Sequence, residues 1–224
     1  MTADFAQALW RERATAIVRT EDQRLAASAM DAAVRGGFRI IEFTLTIPGA
    51  LELVAEFSRR PGLLVGAGTV LTTAQARASI NAGARFLVSP VVDEQVIAAA
   101  RDGGAAAMPG AHTPTEMLRA HRAGAPVIKL FPAPAGGPAY VRSVLAPLPF
   151  LRIVPTNGVD ATNAAAYLEA GSLAVGMVGS LFDPGDLAAG RFEGIEERAR
   201  RIIRAVQQVT RPDAPPDAPD RSRD

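Results

Sequence analysis

Short apolar runs recur along this chain with a regular beat, and between them lie longer stretches in which small apolar residues return every three or four positions. The runs are Ala16-Ile17-Val18, Arg39-Ile40-Ile41-Glu42, Leu63-Leu64-Val65, Phe86-Leu87-Val88, Ala105-Ala106-Ala107-Met108, Val127-Ile128-Lys129-Leu130, Ile153-Val154 and Leu173-Ala174-Val175. They predict eight strands spaced by roughly 19 to 25 residues, one strand-plus-helix unit each. The amphipathic stretches include 22–34, 73–81, 93–101, 115–121 and 162–169. Several close on glycine just before the next run, at Gly36-Gly37, Gly83, Gly103-Gly104, Gly124 and Gly171, as a helix does when it hands over to a strand. Eight such units with short connections predict an α/β fold of the (β/α)8 barrel type in preference to an open doubly wound sheet. The barrel is expected over residues 1–210, with a leading helix at 5–13 across its bottom and a last helix at 196–209. Residues 211–224, rich in Pro and Asp and without apolar periodicity, read as a disordered tail outside the fold.

A barrel of this kind carries its chemistry at the C-terminal ends of its strands. Polar residues at those ends are Arg19, Glu42, Thr44, Thr69, Ser89, Lys129, Thr156, Asn157 and Ser180. Lys129 stands out because it is the one lysine among 24 lysines and arginines, and it sits within Val127-Ile128-Lys129-Leu130-Phe131. Arginine replaces lysine wherever a solvated positive charge suffices. It cannot form a Schiff base, whereas a lysine amine desolvated by apolar neighbours loses its proton and attacks a carbonyl. A surface lysine snorkelling from a strand end is the plainer alternative.

Glu42 lies inside a strand, where a carboxylate is costly to bury unless it is paired or used. It reads as a salt-bridge partner of Lys129 or Arg19, as a general acid/base, or as both. Arg19 is a candidate for bidentate binding of a substrate carboxylate, with a rim salt bridge as the alternative. Gly66-Ala67-Gly68-Thr69 reads as a tight turn after strand 3 where backbone and hydroxyl approach a small anion. Thr156-Asn157-Gly158-Val159 and Gly176-Met177-Val178-Gly179-Ser180 follow strands 7 and 8, where small residues let backbone amides and a helix N-terminus meet a phosphate. His121 reads as a helix-surface residue and His112 as a rim residue; two histidines form no metal triad, and no metal or other cofactor is expected.

Composition narrows the setting. A net charge of +1 gives no reason to expect a nucleic-acid or membrane-surface partner. There is no cysteine, which excludes disulfides and thiolate metal sites. The first 13 residues lack a signal peptide's apolar core and no stretch reaches the ~20 apolar residues of a membrane span, so a cytoplasmic protein is expected.

Ile41-Glu42-Phe43-Thr44, Val65-Gly66-Ala67-Gly68-Thr69-Val70, Val88-Ser89-Pro90, Met108-Pro109-Gly110 with Thr113-Pro114-Thr115-Glu116, Lys129-Leu130-Phe131-Pro132-Ala133 and Val154-Pro155-Thr156-Asn157-Gly158-Val159 occur in this order. Together, over about residues 5–209, the chain resembles the KDPG/KHG aldolase family (2-dehydro-3-deoxy-6-phosphogluconate and 4-hydroxy-2-oxoglutarate aldolases). The resemblance implies a class I aldolase barrel, a homotrimer without cofactor, and a 2-keto-3-deoxy sugar acid phosphate and pyruvate as its small-molecule partners. It implies Lys129 as the Schiff-base lysine and Glu42 as the proton-transferring glutamate. Around the pyruvate moiety it implies Arg19, Thr69, the Ser89-Pro90 turn and Thr156, with Phe131 as an apolar wall, and it implies Gly158, Gly179 and Ser180 at the phosphate. Three departures stand out. Thr46 occupies a place where some members carry arginine, Asn157 one where many carry glycine, and the strand-8 turn is one residue longer.

The expected reaction is cleavage of 2-dehydro-3-deoxy-6-phosphogluconate to pyruvate and glyceraldehyde 3-phosphate. Aldolases for 4-hydroxy-2-oxoglutarate or the 6-phosphogalactonate analogue are alternatives within the class. A phosphosugar isomerase or epimerase using Glu42 as base, and a non-catalytic binding barrel, are the alternatives outside it.

Overall fold

The structure, a computed structural model, describes residues 2–210, with side chains from Phe5 onward; the predicted tail lies outside the described residues. The chain runs α1 (Thr2–Glu12), β1 (Ala14–Val18), α2 (Gln23–Arg35), β2 (Ile40–Thr44), α3 (Ala50–Phe57), β3 (Leu64–Gly68), α4 (Thr73–Asn81), β4 (Phe86–Ser89) and α5 (Glu94–Asp102). It continues with β5 (Ala106–Ala111), α6 (Pro114–Arg122), β6 (Ile128–Leu130), α7 (Gly137–Leu145), β7 (Ile153–Pro155), α8 (Ala164–Glu169), β8 (Val175–Met177), α9 (Pro184–Ala189) and α10 (Phe192–Gln207). The strands pair in parallel in the order β7-β6-β5-β4-β3-β2-β1-β8. A bridge between Thr156 and Gly176, with Leu173 N–H donating to the Ile153 carbonyl at 2.8 Å, closes the circle. The molecule is a (β/α)8 barrel.

The alternation along each strand sorts its side chains into two cores. On β2, Ile41 and Phe43 pack outward against helices, while Ile40 joins Phe86, Val88, Met108, Val127 and Val154 inside the barrel. The bottom of that inner core is closed by α1, whose Phe5 ring stacks on Phe86 with centroids 4.6 Å apart. Burying one such phenylalanine contributes about 2 kcal/mol. Arg13, at φ 65°, donates from Nη1 to the carbonyls of Val206 (2.9 Å) and Gln207 (3.2 Å), so the residue joining α1 to β1 also caps the C-terminus of α10.

The predicted hand-over glycines are in place: Gly37, Gly83, Gly104, Gly124 and Gly171 all adopt positive φ between a helix and the next strand. Four expectations need correcting. Gly66-Ala67-Gly68 is not a turn but the body of β3, paired with Glu42, Phe43 and Thr44 of β2. Strand β5 does not stop at Met108 but runs on to Ala111, and β8 begins only at Val175. The last helix starts a turn earlier, at Phe192, because that ring packs against the outer core.

Candidate active site

Inward positions near the C-terminal strand ends bring Lys129, Glu42 and Thr44 to one mouth, each buried. Lys129 is 9% exposed and Glu42 is 1% exposed. Both carboxylate oxygens of Glu42 are buried and make no hydrogen bond, so the simple salt-bridge reading of this residue does not hold. A buried carboxylate left open in this way is costly, and open groups of this kind gather where a ligand or water is to be received.

The electrostatics follow from burial. Desolvation pushes the Glu42 carboxyl up from the ordinary carboxylate range, against the opposing pull of the Lys129 and Arg19 charges. Desolvation pushes Lys129 down; Glu42 pulls it back up and the Arg19 charge adds to the downward push. Burial thus favours the uncharged form of each group relative to its ordinary state. The Phe131 ring stands 4.9 Å from Lys129 Nζ and forms one wall. The following Phe131–Pro132 peptide is cis.

Glycines make space in this interior, Gly68 for Glu42 itself. On the inner face of β3, a Cβ at Gly68 would overlap Glu42 Oε1 and a Cβ at Gly66 would overlap the Phe86 ring. On β8, a Cβ at Gly176 would lie 2.5 Å from Thr156 Oγ1, the buried hydroxyl at the end of β7. Read along the chain, these glycines resemble turn residues; the signal that would have found their purpose is the shared inward parity of Glu42, Gly66 and Gly68.

Arg19, at the exposed rim after β1, donates from Nη2 to Thr69 Oγ1 at 3.1 Å. Thr69 has φ 59°, a left-handed conformation that a β-branched residue adopts at a cost of about 1–3 kcal/mol and that marks functional loops. The two predicted residues therefore form one unit, with the threonine aiming the guanidinium. Thr46 shares a hydrogen bond of 2.8 Å with the Thr44 hydroxyl, so it brings a neutral pair to the mouth where a cation was a possibility. Pro90 lies against the β5 backbone, because Gly110 has no side chain to hold it off. Pro90, Val91, His112 and Phe131 line a cleft of ≈ 230 Å³ beside the mouth.

The loops after β7 and β8 are joined by Ser180, whose hydroxyl donates to the Val159 carbonyl at 2.6 Å. Asn157 has φ 62° and Gly158 φ 111°, so the asparagine keeps a glycine-like backbone. Among the described residues, no backbone carbonyl accepts from the N–H of Gly158, Gly179 or Ser180. Asp160 accepts from the N–H groups of Thr162 and Asn163 in the turn that leads into α8, and Asp183 caps α9 by accepting from Asp186 N–H.

The histidines stay outside the chemistry. His112 lies on the rim, its Nδ1 3.1 Å from the Pro132 carbonyl, and His121 packs against Phe150 with ring centroids 4.9 Å apart. Thr113 and Glu116 form a capping box at the start of α6, which accounts for their motif by helix initiation alone.

Comparison with known proteins agrees with this geometry. The model of the family described as KDPG and KHG aldolase matches residues 6–197. The chain belongs to the KDPG and KHG aldolase family. It is accordingly an aldolase, a carbon–carbon lyase on a class I aldolase barrel. It is 37% identical over 197 residues to a probable 2-dehydro-3-deoxy-6-phosphogalactonate aldolase of Rhizobium meliloti, covering 87% of this chain and 91% of that one. It is 34% identical over 203 residues to a 2-dehydro-3-deoxy-phosphogluconate aldolase of Treponema pallidum, covering 89% and 96%. Among solved structures, the KDPG aldolase of Legionella pneumophila with pyruvate captured as a covalent carbinolamine superposes with a TM-score of 0.78 at 25% identity, over 88% of this chain and 97% of that one.

Proposed function

We propose that this aldolase cleaves 2-dehydro-3-deoxy-6-phosphogluconate to pyruvate and glyceraldehyde 3-phosphate through an imine on Lys129. The observation that carries the reading is the buried lysine facing a buried carboxylate whose two oxygens are both open. Neutral Lys129 Nζ attacks the C2 ketone to give a carbinolamine. Glu42, protonated, donates to the departing hydroxyl and water leaves, forming the imine. Glu42, now a carboxylate, takes the C4 hydroxyl proton, directly or through a water. The C3–C4 bond breaks, the aldehyde departs and its electron pair is held as the enamine. Protonation at C3 and hydrolysis of the imine release pyruvate and return Lys129 to the free amine.

Arg19, aimed by Thr69, pairs with the substrate carboxylate, while Pro90, Phe131 and Thr156 enclose the pyruvyl part. The free N–H groups of Gly158, Gly179 and Ser180 receive the phosphate; Ser180 acts through its backbone, since its hydroxyl is already engaged. Phosphorylated substrate and product do not cross membranes, which favours a cytoplasmic enzyme. The exposed apolar rim residues Leu71 and Val91 favour contact between copies, as in a homotrimer.

A second reading keeps the chemistry and changes one stereocentre. The C4 epimer, the 6-phosphogalactonate analogue, yields the same two products, and the 37% identical relative named for it favours this substrate.

Borohydride reduction with pyruvate, followed by peptide mass spectrometry, tests the imine, because Lys129 is the sole ε-amine in the chain. A pyruvyl adduct on its peptide is expected; a folded protein that traps nothing would overturn the mechanism. Steady-state rates on both epimers and on 4-hydroxy-2-oxoglutarate then rank the substrates, and a preference for the last would overturn the phosphate assignment.

A further inference from the structure

The turn after β8 is held from outside the barrel. Arg198 on α10 donates from Nε to the Leu181 carbonyl at 3.0 Å, one residue beyond Ser180. Its Nη1 pairs at 2.6 Å with Asp186 Oδ2, and Asp186 Oδ1 accepts from Arg191 Nε at 2.7 Å. The Asp186 side chain is 13% exposed and that of Arg198 21%, so this pair is largely enclosed, while Arg191 stands 62% exposed at its edge. Gly194 leaves room for it, since a Cβ there would lie 2.9 Å from Asp186 Oδ2.

The guanidinium is a planar fork, and it addresses two targets at once. One arm fixes a carbonyl of the turn; the other is fixed by a carboxylate that α9 presents. On the opposite side, the Ser180 hydroxyl ties the same turn to the loop after β7. The N–H groups of Gly179 and Ser180 thus lie on a turn anchored from two sides.

We propose that Arg198 and Asp186 are positioning residues for phosphate recognition: they hold the β8 turn so that its amides converge on the substrate phosphate. The proposal rests on the phosphate reading of that turn. An ammonium at position 198 reaches the Asp186 carboxylate or the Leu181 carbonyl but lacks the fork that joins them. Arg198→Lys therefore releases the turn while keeping the charge, and Asp186→Asn weakens the clamp at constant volume.

The test compares KM and kcat for phosphorylated and unphosphorylated 2-keto-3-deoxygluconate in the full-length wild type, Arg198→Lys and Asp186→Asn, with pyruvate trapping on Lys129 as the check of fold and imine. For both variants the expected result is a KM for the phosphorylated substrate raised about tenfold, as for a lost binding interaction with kcat kept. The unphosphorylated substrate and the trapping stay at wild-type values. Equal losses on both substrates, or loss of trapping in both variants, would make the network a general support of the fold and overturn the proposal. Unchanged KM values in a wild type that does prefer the phosphorylated substrate would overturn it too. A wild type with no such preference would overturn the phosphate reading itself, and with it this inference.

Discussion

Glu42 and Gly68 share one volume: the Glu42 Oε1 atom lies where the side chain of residue 68 would begin. The carboxylate reaches its place on the inner face because the neighbouring strand offers nothing there but backbone. Both of its oxygens remain open there, within the field of the Lys129 and Arg19 charges.

Gly68→Ala is therefore expected to displace the carboxylate. Misplacement of a catalytic group by about 1 Å costs on the order of 10²-fold in rate. Overpacking costs about 1–3 kcal/mol in stability. A protein that still folds, with kcat down by that factor and a lowered Tm, is the expected outcome. A normal kcat would mean that Gly68 does not set the position of Glu42.

Lys129→Arg keeps a positive charge at the end of β6 and removes the only ε-amine. Turnover should be abolished and no pyruvyl adduct should form under borohydride. Glu42→Gln keeps the shape but cannot take a proton, and a fall of about 10²-fold or more in kcat is expected. Turnover retained in Lys129→Arg would overturn the imine mechanism, and an unchanged rate in Glu42→Gln would remove that carboxylate from it.

Much of this could be read from the sequence, and where it could not, the reason is physical. The eight strands announce themselves because buried parallel strands are apolar runs, and the lone lysine announces itself because nothing else in the chain needed one. Gly66 and Gly68 read as turn residues because turn glycines and space-making glycines look alike along one strand; the difference is a neighbour across the sheet. Thr69 and Arg19 were each legible as candidates, but their mutual hydrogen bond was not, since it joins loops 50 residues apart in sequence. The clamp of Arg198 on the β8 turn left no trace either, because an arginine on an amphipathic helix has many ordinary uses.

Thr113→Ala separates motif from chemistry. The residue caps α6 through its side chain and lies in a stretch that carries the family resemblance. Losing an N-cap costs about 1 kcal/mol. In a chain of this size that lowers Tm by about 2–4 °C. Thermal unfolding should register this, while kcat and KM stay at wild-type values; a fall in kcat at a temperature where the variant is fully folded would give the cap a part in the site.

Arg19→Gln should move the pH dependence of imine formation in one direction. In the wild type, Lys129 sits below the ordinary lysine value of 10.5 and Glu42 above the ordinary glutamate value of 4.5. The free amine gains population as pH rises through the lowered lysine value, so trapping at saturating pyruvate should level off before 10.5 is reached. The Arg19 charge lowers both groups. Without it, protonation of the ammonium is less opposed and ionisation of the carboxyl is less assisted, so both titrations shift to higher pH. Initial trapping rates across pH, at pyruvate concentrations that saturate each protein, measure this. A midpoint that stays put would show that Arg19 acts on the substrate carboxylate alone and that its field does not reach the Lys129–Glu42 pair.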